Sequence, residues 1–217
     1  TEQKTKAYQE LLEQFVSLSR TESPLAYIRL VAEPLLDDPS DRTFVELVNL
    51  LKPHVNEDPR TALLYAALLS AQAHKPFMPE PGKGMTPEQI RQWQALNTNP
   101  MIRQAHLLLT NLCQKQNLQA CLAWFNELTD LASPTMLAGS VDEQQKVLSS
   151  LVEPENEVRR VAITNYAQQP SSSLARMIAN LYEKGLMPIP PSDAKAIGFV
   201  RDDEKAAQWR KKADAPQ

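Results

Sequence analysis

The chain has 217 residues, 23 basic and 26 acidic, for a formal charge of −3, so it offers no electrostatic footprint for nucleic acid. This length buries about 70% of the unfolded surface, so folding requires neither a metal nor a disulfide, and one elongated domain over 1–217 is the simplest organisation. Only 5 glycines among many Ala, Leu, Gln, Glu, Lys and Arg residues argue against a sheet-rich fold, and no run reaches the roughly 18 apolar residues of a membrane span.

The 17 prolines fall mostly where helices begin. Ser23-Pro24, Asp58-Pro59, Thr86-Pro87, Asn99-Pro100, Ser133-Pro134 and Glu153-Pro154 place a residue before proline in the manner of an N-cap followed by a first helical position. Apolar spacing fills in the helices between them. Tyr8, Leu11, Leu12, Phe15 and Leu18 mark the first, and Leu25, Ile28, Leu30 and Val31 the second. Phe44, Leu47, Val48 and Leu51 form a third, stopped before Pro53. The fourth starts at Asp58 and is apolar nearly all round from Ala62 to Leu69, which predicts the most buried helix. Ile90 and Trp93 mark a fifth, Ile102, Ala105, Leu109 and Leu112 a sixth, and Leu118, Leu122, Phe125 and Leu128 a seventh. Val141 to Val152, then Val158 to Tyr166, then Leu174 to Tyr182, and finally Ala206 to Ala213 complete the series. Short helices with short links make antiparallel neighbours, so the fold class is all-α.

Two stretches break the rhythm. HKPFMPEPGKGM over 74–85 and LMPIPPSDAKAIGFV over 186–200 each hold three prolines. Phe77, Met78, Met187, Ile189 and Phe199 are too apolar for an idle linker. They either fold back over helix ends or form a contact surface for a partner.

Catalytic and metal-binding patterns are thin. His54, His74 and His106 lack partners at metal-ligand spacing; His54 and Glu57 lie three apart, but after Pro53 they fall in a loop. Gly82-Lys83-Gly84 lacks the rest of a phosphate loop. Ser192-Asp193-Ala194-Lys195 has the S-x-x-K form without the companion elements that such hydrolases use, and Ser192 is read as a helix cap. The basic cluster Arg210, Lys211 and Lys212 ends a helix, where cations favour the macrodipole. No catalytic residue, metal or cofactor is therefore expected.

The C-terminal quarter carries the clearest pattern. IANLYEKG places Ile178, Ala179, Tyr182 and Gly185 on one helix ending at a glycine. Asp202, Lys205, Ala206, Trp209, Lys212 and Ala213 follow the spacing D-x-x-K-A-x-x-W-x-x-K-A on the next. Small alanines let two helices approach, Gly185 supplies a left-handed stop, and Trp209 is positioned to fill the crossing. This hairpin resembles the Sel-one-like repeat, a relative of the tetratricopeptide repeat, and the match runs over 174–213. The link from Gly185 to Asp202 departs from the family by its length, because residues 186–200 form an insertion. A degenerate copy runs from Ala62 to Leu96, with Trp93 in the tryptophan place. The resemblance implies a right-handed α-solenoid of antiparallel hairpins and a protein-binding role.

Cys113 and Cys121 are the only cysteines. Within one helix they would be about 12 Å apart, too far for a bond. With a turn at 114–117 they would face each other. Spacing alone leaves both open: buried unlinked thiols, or a disulfide across a hairpin. The cysteine-rich branch of the Sel-one-like family carries the same Cys-x7-Cys spacing with a disulfide in each repeat, which implies a secreted or periplasmic bacterial protein; Thr1 is consistent with a removed signal peptide. The expected function is a non-enzymatic module that binds another protein, as an envelope adaptor or as an immunity protein against a secreted toxin. The competing expectation is a small-ligand-binding or hydrolytic protein using the concave face, and the competing compartment is the cytoplasm.

Overall fold

The computed structural model describes residues 41–74, 86–187, 189 and 191–215. Among these residues the structure is all-helical, with α1 (Asp41–Leu51), α2 (Pro59–His74), α3 (Pro87–Gln94), α4 (Pro100–Gln114), α5 (Leu118–Ala138), α6 (Val141–Gln168), α7 (Ser172–Glu183), α8 (Pro191–Ile197) and α9 (Asp203–Asp214). The predicted helices over Tyr8–Leu18 and Leu25–Val31 lie outside the described residues. No helix among those described is long and apolar enough to cross a membrane. The described residues gather into two compact units, one made of 41–74 with Ala95–Leu109, the other of 86–94 with the described residues from Thr110 onward.

The helix starts follow local chemistry. Asp58 accepts from the Arg60 N–H at 3.0 Å and the Thr61 hydroxyl at 2.7 Å. Thr86 and Gln89 exchange bonds of 3.2 and 2.8 Å in a capping box, and Asn99 accepts from Met101 N–H at 2.8 Å. Each satisfies an orphan N–H of the first helical turn.

Two expected starts are not starts. Pro134 lies inside α5 and Pro154 inside the 28-residue α6. The Ser133 hydroxyl donates backwards to the Thr129 carbonyl at 2.9 Å and so does not cap, while Glu153 is not among the residue types favoured at an N-cap. An interior proline costs about 3 kcal/mol. Burying Leu151, Val158 and Val161 to 2% exposure or less, at about 1.5–3 kcal/mol each, outweighs it.

In the first unit, α2 buries residues on almost every side, including Tyr65, Leu68 and Leu69, as its all-round apolar pattern predicts. Tyr65 receives a long 3.5 Å bond from Gln104 of α4. His74 Nδ1 lies 2.9 Å from the Ser70 carbonyl. Burial, and then the charge of His74, hold the nearby His106 imidazole below its ordinary value of 6.5. The unfolded chain thus takes up a proton below about pH 6.5 that the folded unit resists. Stability is full above that value and falls as the pH drops towards the folded pKa. Between pH 7 and 5.5, the protection factors of the α2 amides, which divide out the slowing of intrinsic exchange in acid, should fall in the native protein. The fall should flatten in His106→Gln; an unchanged slope would remove His106 as its source.

In the second unit, α4 turns into α5 at Lys115–Asn117 without glycine or proline. Gln116 takes a left-handed φ of 66°, Asn117 N–H donates to the Leu112 carbonyl at 3.1 Å, and the Asn117 side chain caps α5 by accepting from Ala120 N–H at 3.0 Å. Asn165 of α6 secures this turn with a 3.2 Å bond to the Gln116 carbonyl. Cys113 and Cys121 are joined across it as a disulfide, with Cα atoms 4.7 Å apart. Both are at or below 1% exposure and belong to a core that includes Phe125, Leu151, Val161, Ile178 and Phe199. α3 lies on α5, where Trp93 Nε1 donates to the Asp130 carbonyl at 3.0 Å.

Candidate functional site

The C-terminal pair α7 and α9 is built as its residue pattern suggests. Ile178, Ala179, Ala206 and Ala213 are buried at 0–4% exposure, and Tyr182 is buried beside them. Small side chains at these positions let the two helices pack closely. Asp202 caps α9 by accepting from Lys205 N–H at 2.9 Å, and that bond leads the causes holding its carboxyl below the usual range. Lys205 Nζ lies 3.4 Å from Asp202 and 5.5 Å above the Tyr182 ring. Trp209 is half-buried and meets Tyr166 of α6 edge-on at 4.9 Å, with Lys212 Nζ 4.0 Å above it. The tryptophan therefore ties α9 to α6. Glu183 pairs with Arg210 between α7 and α9.

The insertion over 186–200 folds back on this frame. Its ends are drawn together where Asp202 N–H donates to the Tyr182 carbonyl at 2.9 Å. Met187 and Ile189 are half-buried and pack on the core. Phe199 is 2% exposed, which fits the alternative in which it folds back and not the one in which it anchors a partner: Gly198 at φ 109° turns the chain inward, and Phe199 N–H closes onto the Ala194 carbonyl at 2.9 Å. Phe77 and Met78 lie outside the described residues, so only Met187, Ile189 and Phe199 are seen together.

A feature that the pattern did not disclose holds the insertion in place. Glu155 of α6 is fully buried. Its Oε1 accepts from Arg201 Nη1 at 2.5 Å and from Arg159 Nη2 at 3.2 Å. Its Oε2 accepts from the Leu186 and Met187 N–H groups at 2.8 and 3.3 Å. Arg159 also donates to the Leu181 and Val200 carbonyls at 3.4 and 3.2 Å and to Asn156 at 2.7 Å, and sits 5.2 Å over Tyr182. Burial pushes the Arg159 guanidinium below its ordinary range, and Glu155 opposes that shift. The spacing of Glu155 and Arg159 marks a helical ion pair; nothing in EPENEVRR marks it as buried.

Gly185 stands at the hinge. Its φ of 71° is a conformation that L side chains resist, and a Cβ there would overlap the Arg201 guanidinium. Gly185→Ala should therefore cost at least the roughly 1–2 kcal/mol of a left-handed residue. Urea unfolding would check this; a loss below about 0.5 kcal/mol would mean that the backbone at position 185 leaves the left-handed region and Arg201 moves aside, both without cost.

Beside the hinge runs a groove of about 480 Å³ lined by Ser173, Arg176, Met177, Asn180, Leu181, Gly185 and Leu186. A second, more polar cleft of about 870 Å³ lies where α6 passes into α7, lined by Asn165, Gln168, Gln169, Pro170, Ser171 and Leu174. No group of three His, Cys, Asp or Glu side chains suited to a metal occurs among the described residues. His54 lies 3.0 Å from Glu57 in the turn after α1. The class defined by these features is a protein, all-helical among its described residues, whose C-terminal helix pair is joined by an insertion bonded to Glu155 and flanked by a groove. Comparison with protein-family models, with curated proteins and with solved structures finds no match.

Proposed function

We propose that this chain is a non-enzymatic protein-binding module of the bacterial cell envelope, a divergent right-handed solenoid of Sel-one-like hairpins that works as an adaptor or as an immunity protein blocking a secreted toxin. The observation that carries the reading is the α7–α9 pair, with buried Ala179, Ala206 and Ala213, a side-chain cap at each helix start, and a left-handed Gly185 after α7. The buried Cys113–Cys121 bond supports an oxidising compartment. The partner is another protein, and its contact runs along α7 and the near edge of the insertion, where Met177, Leu186 and Met187 are partly exposed. Recognition is by surface complementarity, with these apolar side chains as anchors and Arg176 and Asn180 setting register.

The test is affinity capture from an envelope fraction with the native chain and with Met177→Asp as control, the captured proteins being identified by mass spectrometry. A stoichiometric toxin or hydrolase lost with Met177→Asp would support immunity; a secretion or assembly component lost in the same way would support an adaptor. Capture of nothing, or of proteins indifferent to the substitution, would overturn the α7 surface. The second reading, a small-ligand site, is favoured by the groove itself, which sets Arg176 and Asn180 beside Met177 and Leu181. It predicts ligand-dependent protection of α7 without any protein partner.

A further inference from the structure

Every direct bond that Glu155 makes outside its own helix goes to one of the two ends of the insertion. Leu186 and Met187 offer it their N–H groups at the entrance. Arg201 offers its guanidinium at the exit. Between them Ala194 and Phe199 enter the core, buried at 0% and 2% exposure, and Met187, Ile189 and Ile197 pack against it. The two helices flanking the insertion do not depend on it for their junction. They meet directly through the bond from Asp202 N–H to the Tyr182 carbonyl, the Glu183–Arg210 pair and the buried faces of Ile178, Ala179 and Ala206.

We propose that the described residues from Leu186 to Arg201 form a strap that opens from the frame of α6, α7 and α9 as one unit, with Glu155 as its latch and Gly185 as its hinge. The charge arrangement gives the latch its direction. Arg159 belongs to the frame and Arg201 to the strap, both have side chains about 5% exposed, and one carboxylate holds them together. With the carboxylate in place each guanidinium is paired. Without it, two buried like charges face each other across the strap boundary, and the arrangement that hydrates both is the one in which Arg201 swings outward with its segment. Gly185, already in a conformation open chiefly to glycine, absorbs the rotation at the entrance, and the capped start of α9 stays fixed. Opening uncovers the bed of Phe199 and Ala194 and removes Leu186, one wall of the α7 groove. This device is independent of the partner proposed above.

Native-state hydrogen exchange of the whole chain, read by mass spectrometry at rising sub-denaturing urea, tests it. Peptides from 186–200 should lose protection at lower urea, and with a shallower urea dependence, than peptides from 172–183 and 203–214. Merging of all three into one transition from the outset would overturn the proposal. In Glu155→Gln the strap peptides should exchange at least about tenfold faster, because the bonds to Glu155 are broken in the open state, and α7 and α9 peptides that exchange by global unfolding should accelerate by the same factor. Acceleration of the α7 and α9 peptides with the strap peptides unchanged, or none in any, would overturn it as well. If the variant does not fold, the urea series on the native chain decides alone.

Discussion

Glu155→Gln is expected to lower the stability of the second unit by about 3–5 kcal/mol, the range for removing one partner of a buried ion pair. The size follows from what is left behind. Arg159 and Arg201 remain buried, each at about 5% side-chain exposure, and the neutral amide cannot balance two guanidiniums. One of its two terminal atoms becomes a donor facing donors, so at least one of the Leu186 and Met187 N–H bonds or one Arg bond is lost. If the strap swings out to hydrate Arg201, the measured loss is the free energy with which the strap was attached, and the burial of Phe199 goes with it. Equilibrium urea unfolding of the native chain, Glu155→Gln, Arg201→Gln and the double variant would measure this as a cycle. A coupling above about 1 kcal/mol is expected between residues that touch; additivity within about 0.5 kcal/mol would show that they act independently.

The contrast between this cluster and the helix pair beside it shows what a single sequence discloses. Asp58, Thr86, Asn99 and Asp202 cap helices through their own neighbours, so their signals are local and legible. The spacing of Ile178, Ala179, Ala206 and Ala213 is legible for the same reason, because periodicity reports one face of one helix. Pro134 and Pro154 read wrongly because a proline's local preference was overruled by burial on both sides of it, which is a tertiary effect. For Phe199 the sequence leaves open folding back or facing a partner, and only the turn at Gly198, which aims it inward, chooses between them. Glu155, Arg159 and Arg201 look like ordinary surface charges in one dimension. Only the return of the chain from α7, which brings Arg201 back to α6 across a sequence distance of 46, makes them a buried cluster.

Reduction of the Cys113–Cys121 bond is expected to cost about 2.5 kcal/mol, the chain-entropy value for a loop this short, and the double substitution to alanine more. The sequence separation is 8, so the constraint on the unfolded chain is modest, and the native turn supplies part of the closure by other means. Gln116 still takes its left-handed conformation, and Asn117 still caps α5. Both sulfurs lie in the core at or below 1% exposure, however, so alanines leave a cavity as well as a longer unfolded chain, and small buried voids add to the loss. Reduction without substitution separates the two terms, because the thiols keep nearly all the volume. The reduced protein should therefore be more stable than the double-alanine variant by about 1 kcal/mol or more, and both less stable than the oxidised chain. Thiol counting on the unfolded, unreduced protein should find none free, in keeping with the linked pair. Equal urea midpoints for the oxidised and reduced forms would mean that the hairpin is held by its turn and by the Asn165 bond to Gln116 alone. The disulfide would then contribute nothing to stability, and the case for an oxidising compartment would lose its energetic basis.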